Sequence, residues 1–518
     1  MKQLFKKAHL VFLCILAMAN KTSYPTTDDQ REGDCMLSTK VQGVVLAAGQ
    51  GTRFKTGRSK LVEKICGQEM ILFATRLLEQ LHIPTLVVVG YQKELIKEVL
   101  DNYHGSSIEY CVQEQQKGTG HAVLCTQQHW DRDHLLIMNG DVPLVTPDII
   151  EHLYNEHTRT NAEISFVTAH NPDPSCGGYG RVIKKDNSIA IVEARDFEGD
   201  PTEECCINAG IYLIRRSFLE DTIGTLKLNE KSQEFYLTDL VKIASDKNLV
   251  VTTINAPFDR IRGINNFQEL WAAEQVKRCE LLKYWMDHGV HFSAAQSVHL
   301  DLNITIGSGT YVGCGVHLQG KTIIGKNCKI NEFVSLENVT MGDDVVIHPQ
   351  SIVKNSTIES LAEVGPFGYI DNSIVKEKAQ VGKFVELKRT TMGRVSKAKH
   401  LAYLGDAEIG DRVNIGAGTI ICNYDGTHKH KTKIGDDAFI GSNNTLIAPV
   451  TIGNKAFTAA GSVITDDVPD SALAIGRTQQ TNKEGYAEKL RKSQQEPQVE
   501  FTAAGFLGTL KSKNNSCQ

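Results

Sequence analysis

The sequence predicts a chain in two parts: an α/β domain built on a mostly parallel sheet, then a parallel β-helix. Three observations carry this. Over residues 41 to about 262, short apolar runs alternate with amphipathic stretches. From residue 302 the apolar period changes to six. The composition is that of an ordinary globular protein: 518 residues, 41% hydrophobic, 7% aromatic and 23% charged. That length allows two to four domains at roughly 100–200 residues each, and the composition excludes a disordered or collagenous chain. Lys+Arg is 56 against Asp+Glu 61, a net charge of −5 with no basic tract, which argues against a nucleic-acid binder. Thirteen cysteines without a C-x-x-C pair suggest scattered free thiols in a reducing compartment.

The elements follow in order. Lys2, Lys6 and Lys7 precede an apolar run from Ala8 to Ala19, which resembles an export signal and is too short to span a bilayer comfortably. Met36 lies eight residues before the first strand, so a mis-assigned start is preferred to a real signal. No later segment reaches eighteen apolar residues, and no membrane insertion is expected. Val44–Leu46, Thr85–Val89, Leu135–Met138 and Ile164–Thr168 read as strands; Met70–Gln80 and Lys93–Asn102 read as helices. Residues 266–287 form one long helical pattern with a stripe of Phe267, Leu270, Trp271, Val276, Leu281 and Trp285. The expected divisions are 1–35, an extension; 36–265, the α/β domain; 266–295, a linker helix; 296–480, the β-helix; and 481–518, a polar tail.

In the second part Ile306, Val312, Leu318, Ile324, Ile330 and Leu336 are spaced by six. The register slips through 340–400. It returns at Tyr403, Ile409, Ile415 and Ile421, and again from Ile434 to Ile464. Gly often follows the aliphatic residue, as at Gly307, Gly313 and Gly325. A six-residue period fits one face of a triangular coil, with the aliphatic residue inward and a permissive residue easing the corner.

Chemistry is concentrated in two places. Leu46-Ala47-Ala48-Gly49-Gln50-Gly51-Thr52-Arg53 follows the first strand, with Lys60 seven residues on. Glycines let a backbone approach phosphates, and Arg53 and Lys60 would neutralise triphosphate charge. Gln113 and Gly118-Thr119-Gly120-His121-Ala122 would read a pyrimidine base. Asn139-Gly140-Asp141 follows a strand, where open α/β sheets place ligand chemistry, and the Asp141 carboxylate suits Mg²⁺. Asn265 could instead cap the long helix. The second place lies between 388 and 429, where Lys388, Arg389, Lys397, Lys399, His400, Tyr403, Asn414, Asn423, Tyr424 and Lys429 gather. Histidine titrates near neutrality and can take a proton from an amine. Cys422 reads as a packed coil residue rather than a nucleophile.

The L-A-A-G-x-G-T-R loop resembles the signature of sugar-nucleotidyltransferases. Together with Gly178-Tyr179-Gly180-Arg181, Glu193, Asn208-Ala209-Gly210, Tyr236–Asp239 and Gly263–Asn266, it resembles one half of the bacterial bifunctional N-acetylglucosamine-1-phosphate uridylyltransferase/glucosamine-1-phosphate N-acetyltransferase (GlmU) family. The run Lys397–Gly410, then Asn414–Thr419 and Cys422–Gly426, resembles the other half. The resemblance spans roughly 41–485. It implies a Rossmann-like nucleotidyltransferase domain and a left-handed β-helix of hexapeptide repeats. It implies acetyl transfer from acetyl-CoA to glucosamine-1-phosphate, then uridylyl transfer from UTP to N-acetylglucosamine-1-phosphate, in a cytoplasmic homotrimer serving cell-envelope synthesis.

Residue by residue, the resemblance assigns Leu46, Ala47, Ala48, Gly49, Lys60, Gln113, Gly118, Thr119, Asn139, Gly140, Asp141, Gly180, Glu193, Asn208 and Asn265 to nucleotide and amino sugar, with Asp141 and Asn265 on Mg²⁺. It assigns His400 as general base; Lys388, Tyr403, Asn414 and Lys429 to the sugar phosphate; and Ala417, Asn423, Tyr424, Ser442, Ala460 and Arg477 to acetyl-CoA. Two departures stand out. After Gly365-Pro366-Phe367 the family carries phosphate-gripping arginines, whereas here Gly368-Tyr369-Ile370-Asp371 follows; Ser59 stands where the family usually has Pro. The arginine loss leaves open a uridylyltransferase whose β-helix is only structural or regulatory.

Overall fold

A computed structural model describes residues 34–493 except 52–53, 56, 172–177, 186–187 and 199–204. The apolar run at 8–19 and the tail beyond 493 lie outside the described residues. The α/β part opens with helix α1 (Asp34–Lys40) and strand β1 (Val41–Ala47), whose apolar residues are almost all buried. A strand covered on both faces reads as a continuous apolar run rather than an alternating one. Then come α2 (Met70–Gln80), β2 (Thr85–Val89), α3 (Lys93–His104), β3 (Glu109–Val112), α4 (Thr119–Leu124), β4 (His134–Asn139), α5 (Pro147–Thr160) and β5 (Ile164–Asn171). A hairpin, β6 (Arg181–Lys185) and β7 (Ser188–Val192), precedes β8 (Cys205–Arg215), α6 (Arg216–Thr222), α7 (Asp239–Asp246) and β9 (Val251–Asn255).

The sheet runs β9-β5-β8-β4-β1-β2-β3. Every neighbouring pair is parallel except those made by β8, which is antiparallel to both β4 and β5. The chain leaves β1 toward β2 and later returns to its other side as β4, with Leu46 opposite Asn139. The C-terminal ends of β1 and β4 therefore form the switch point where such sheets bind ligands.

Helix α8 (Phe267–Asp287) follows, capped by Asn266, whose side chain accepts from Glu269 N at 2.9 Å. The cap is Asn266 and not Asn265. The expected stripe is only partly inward. Leu270, Ala273, Leu281 and Leu282 are buried, while Phe267 and Trp271 are 50% and 64% exposed. Eight described cysteines are free, but Cys205 is disulfide-bonded, contrary to the expectation of free thiols throughout.

From His291 to Ala474 the chain winds as a parallel solenoid, each strand pairing with its equivalent on the next winding. Tyr311 pairs with Lys329, eighteen residues on; Lys329 with Val346, seventeen on; and Val346 with Glu363, again seventeen on. The shorter winding explains the slipped register. Inward residues Leu336 and Met341, Val353 and Ile358, and Ile370 and Val375 are five apart, so one corner of three has lost a residue. For the same reason Leu404 is the buried residue where Tyr403 was expected inward.

The glycines after the aliphatic residues serve close approach rather than the turn. A Cβ on Gly325 would lie 2.3 Å from Gly342 O, and one on Gly307 2.5 Å from Gly325 C. Positive φ falls two residues later, at Gly309, Gly315, Asn327 and Asp344.

Candidate active sites

The first site is a cleft of about 580 Å³ over the C-terminal ends of β1 and β4. Leu46, Ala47, Ala48, Gly49, Lys60, Gln113, Gly118, Thr119, Asn139, Asp141 and Asn265 all line it. Arg53 lies outside the described residues. Gly51 has φ 60, and a Cβ on it would come within 3.1 Å of the Lys60 stem, so the glycine lets the loop fold over that lysine. Ser59 caps the short turn carrying Lys60, its hydroxyl accepting from Leu61 N at 3.4 Å. The Ser59 N–H also donates to Gln92 Oε1 at 2.7 Å, a bond that proline could not make.

Gln113 is buried, and its amide donates to Gly118 O at 3.1 Å. The Gly118 loop is zipped onto segment 235–237: Gly120 N donates to Phe235 O at 2.8 Å and Leu237 N to the Thr119 hydroxyl at 3.1 Å. Gly140 lines neither this cleft nor the next. Its N–H donates to Leu46 O at 2.9 Å, and a Cβ there would meet Ile71 Cδ1 at 2.7 Å, so the glycine lets helix α2 pack against the end of β4.

A second cleft, about 240 Å³, opens off the first and shares Leu46, Thr119, Asn139, Asp141 and Asn265 with it. Gly180, Glu193 and Asn208 line it. Glu193 accepts from the Thr238 hydroxyl at 2.9 Å, and burial pushes its carboxyl above the usual range. The β8–β5 register breaks between Asn208 and Tyr212. Gly210 in that break has φ 70, and a Cβ on it would sit 2.4 Å from Asn139 Nδ2. A bulge of this kind re-aims side chains next to a site. At the junction of the clefts, Lys60 Nζ donates to Asp141 Oδ2 at 2.5 Å and to Ile264 O and Asn265 Oδ1 at 2.9 Å each. All three acceptors are hard oxygens, the donor type that suits Mg²⁺.

The other predicted residues lie on two edges of the solenoid. On one, Arg389 forms a fork to Asp406 at 2.6 and 2.8 Å, and Asn423 Nδ2 donates to Asp406 Oδ2 at 2.5 Å and to Tyr403 Oη at 3.5 Å. The Arg389 bonds, then Asn423, hold the Asp406 carboxyl below the usual range, with Lys429 adding to the effect. Lys388 is beside this group and pairs with Asp371 at 3.7 Å. Tyr424 and Lys429 bridge across a loop that lengthens one winding, so that Asn414 pairs with Phe439, twenty-five residues on.

On the other edge stands exposed His400. Lys397 and Tyr403 pair with Asn414 and Ile420, which puts Ala417 next above His400. Asn443 N donates to Ala417 O and Gly461 N to Ser442 O, continuing the column through Ser442 to Ala460. Arg477 runs past Gly461. Cys422 is a free, half-buried strand residue.

Comparison with known proteins finds matches for both parts of the chain. Residues 43–202 match the MobA-like NTP transferase domain, and residues 303–338 and 431–466 match the bacterial transferase hexapeptide (six repeats). The bifunctional protein GlmU of Geobacillus thermodenitrificans is 39% identical over 459 residues, 87% of this chain and 98% of the relative. Those of Halalkalibacterium halodurans and Exiguobacterium sibiricum are 37% and 38% identical, each over 86% of this chain, covering 98% and 99% of their own length.

The chain belongs to the bifunctional GlmU family. A Bacillus anthracis structure described as a glucose-1-phosphate thymidylyltransferase is 20% identical, covering 46% of this chain and 94% of its own, at a TM-score of 0.38. Against the GlmU resemblance, the residue pattern overlooked Gln116, Arg195 and Glu234 in the first cleft and Tyr212 in the second. Arg195 sits two residues after Glu193, and that adjacency was the available signal.

Proposed function

We propose that this chain runs both reactions of a bifunctional transferase. The β-helix acetylates glucosamine-1-phosphate from acetyl-CoA, and the α/β domain joins N-acetylglucosamine-1-phosphate to UTP. The observation that carries the reading is the pair of clefts meeting at Asp141 and Asn265, one sized for a nucleotide and one lined by Glu193, Asn208 and Gly180. In uridylyl transfer the sugar's phosphate oxygen attacks the α-phosphorus and pyrophosphate leaves. That nucleophile is already anionic, so no base is needed. Lys60 and Arg53 stabilise the charge on the bridging and leaving oxygens. Asp141 and Asn265 would hold Mg²⁺, which supplies electrostatic stabilisation of the phosphates when bound. Gln113, Gly118 and Thr119 hold the base.

In acetyl transfer His400 takes the proton from the amine as the nitrogen attacks the thioester carbonyl and the thiol of coenzyme A leaves. Lys388, Tyr403, Asn414 and Lys429 hold the sugar phosphate; Ala417, Asn423, Tyr424, Ser442, Ala460 and Arg477 face coenzyme A. These groups lie on two edges of one prism, so a neighbouring prism completes the site, in a homotrimer. One edge supports this: Phe333, Phe367, Phe384 and Leu401 are exposed, all have positive φ, and the Phe367 and Phe384 rings stack at 5.1 Å. Positive φ is common to the corners of the coil; what sets this edge apart is a row of exposed large apolar side chains, the kind of patch that marks an association surface. No described helix is long and apolar enough to cross a membrane, and a cytoplasmic setting with divisions at 36–265, 266–295 and 296–480 completes the reading.

The test has two parts. Incubation with UTP, Mg²⁺ and each sugar-1-phosphate in turn should release pyrophosphate best with N-acetylglucosamine-1-phosphate. Mass spectrometry should find acetylated product with wild type and none with His400→Ala; equal product from both would discard the base assignment.

A further inference from the structure

Lys60 is placed as no phosphate ligand needs to be. Its ammonium is held by Asp141, Asn265 and the Ile264 carbonyl, at 2.5 to 2.9 Å, and the Lys60 and Asp141 side chains are only 14% and 19% exposed. Magnesium takes its oxygens at about 2.0–2.1 Å. An ion on Asp141 and Asn265 would need the same Oδ2 and Oδ1 atoms that Nζ already holds. Two cations on one pair of oxygens repel each other, and in so shielded a spot that repulsion is only partly screened.

We infer that Lys60 is an internal counterion that closes the Asp141–Asn265 site to divalent cations until nucleotide arrives. The inference rests on reading those two residues as cation ligands. Leaving the site costs Lys60 three hydrogen bonds, two of them to side chains and one charge-assisted by a carboxylate. A triphosphate in the adjoining cleft, which Lys60 also lines, replaces them with anionic oxygens. Gly51 leaves open the ground beside the lysine stem. Nucleotide thus draws the ammonium away and frees the carboxylate in one event. The protein without nucleotide carries no bare carboxylate to collect stray metal.

Mn²⁺ binding to the full-length protein, followed by electron paramagnetic resonance of free Mn²⁺ without nucleotide, tests this. Lys60→Met should bind Mn²⁺ at least tenfold more tightly than wild type, and adding Asp141→Asn to it should remove that gain. Lys60→Gln serves if the methionine variant does not fold. Equal affinity of wild type and both Lys60 variants overturns the counterion role, provided α,β-methylene-UTP still brings Asp141-dependent Mn²⁺ binding to wild type. Absence of Asp141-dependent binding even with that analogue overturns the metal reading itself, and the counterion with it.

Discussion

His157 is fully buried, with Nδ1 against the Ser165 hydroxyl at 2.7 Å and Nε2 against His134 at 3.1 Å. Burial first, then the charges of His134 and Arg215, push it down to about 3. An unfolded histidine titrates near 6.5. Between those values the unfolded chain holds a proton that the folded chain refuses, so stability falls as pH drops through that window and is unaffected above it. The urea midpoint of wild type should therefore fall more steeply from pH 7.5 to 4.5 than that of His157→Gln; parallel slopes would refute the assignment. At this scale the sequence was legible where the chemistry is contiguous. Leu46 to Gly49 and Asn139 to Asp141 each leave a strand end as a unit. Arg195 reaches the first cleft because the β6–β7 hairpin turns the chain back before it, and its closeness to Glu193 is the one local sign of that. Gly140 reads as a ligand because it sits inside a motif; the sequence does not show that its missing Cβ also makes room for Ile71.

Among elements, the solenoid winding sets both spacing and charge. The six-residue period revealed the coil, whereas the missing residue at one corner depends on pairing between windings and was visible only as a slip. Gly325 is flanked by the next backbone, so Gly325→Ala should cost about 1–3 kcal/mol. Gly224→Ala, with nothing within 4 Å of its Cβ, should cost far less; calorimetric melting of both checks the contrast. The same winding stacks Glu337, Lys354, Asp371 and Lys388 in one column, opposite charges adjacent. Lys354 pairs with Glu337 at 3.1 Å and Lys388 with Asp371 at 3.7 Å. Asp371 thereby competes with any phosphate for Lys388. Asp371→Asn should lower the KM for glucosamine-1-phosphate roughly fivefold, about 1 kcal/mol for a partly exposed pair, and an unchanged KM in steady-state acetylation would show that Lys388 is free to serve already.

On the proposed reading, the whole molecule divides its two chemistries between a sheet edge and a prism wall, and only the wall would need neighbours. Phe384 lies on the exposed apolar edge. Phe384→Glu should give a monomer by light scattering, lose acetyl transfer, and keep pyrophosphate release from UTP. A variant that stays trimeric would place the interface elsewhere. The winding has one more consequence. Each storey bonds only to the storeys above and below, so length along the tower is quantised. Excising residues 329–345 would rejoin the ladders and lower the tower by roughly 4.8 Å. Excising one residue fewer would turn the following side chains inside out. Insertions and deletions in this gene can therefore survive only as whole storeys or as balconies at the corners, of which the stretch 423–431 is already one.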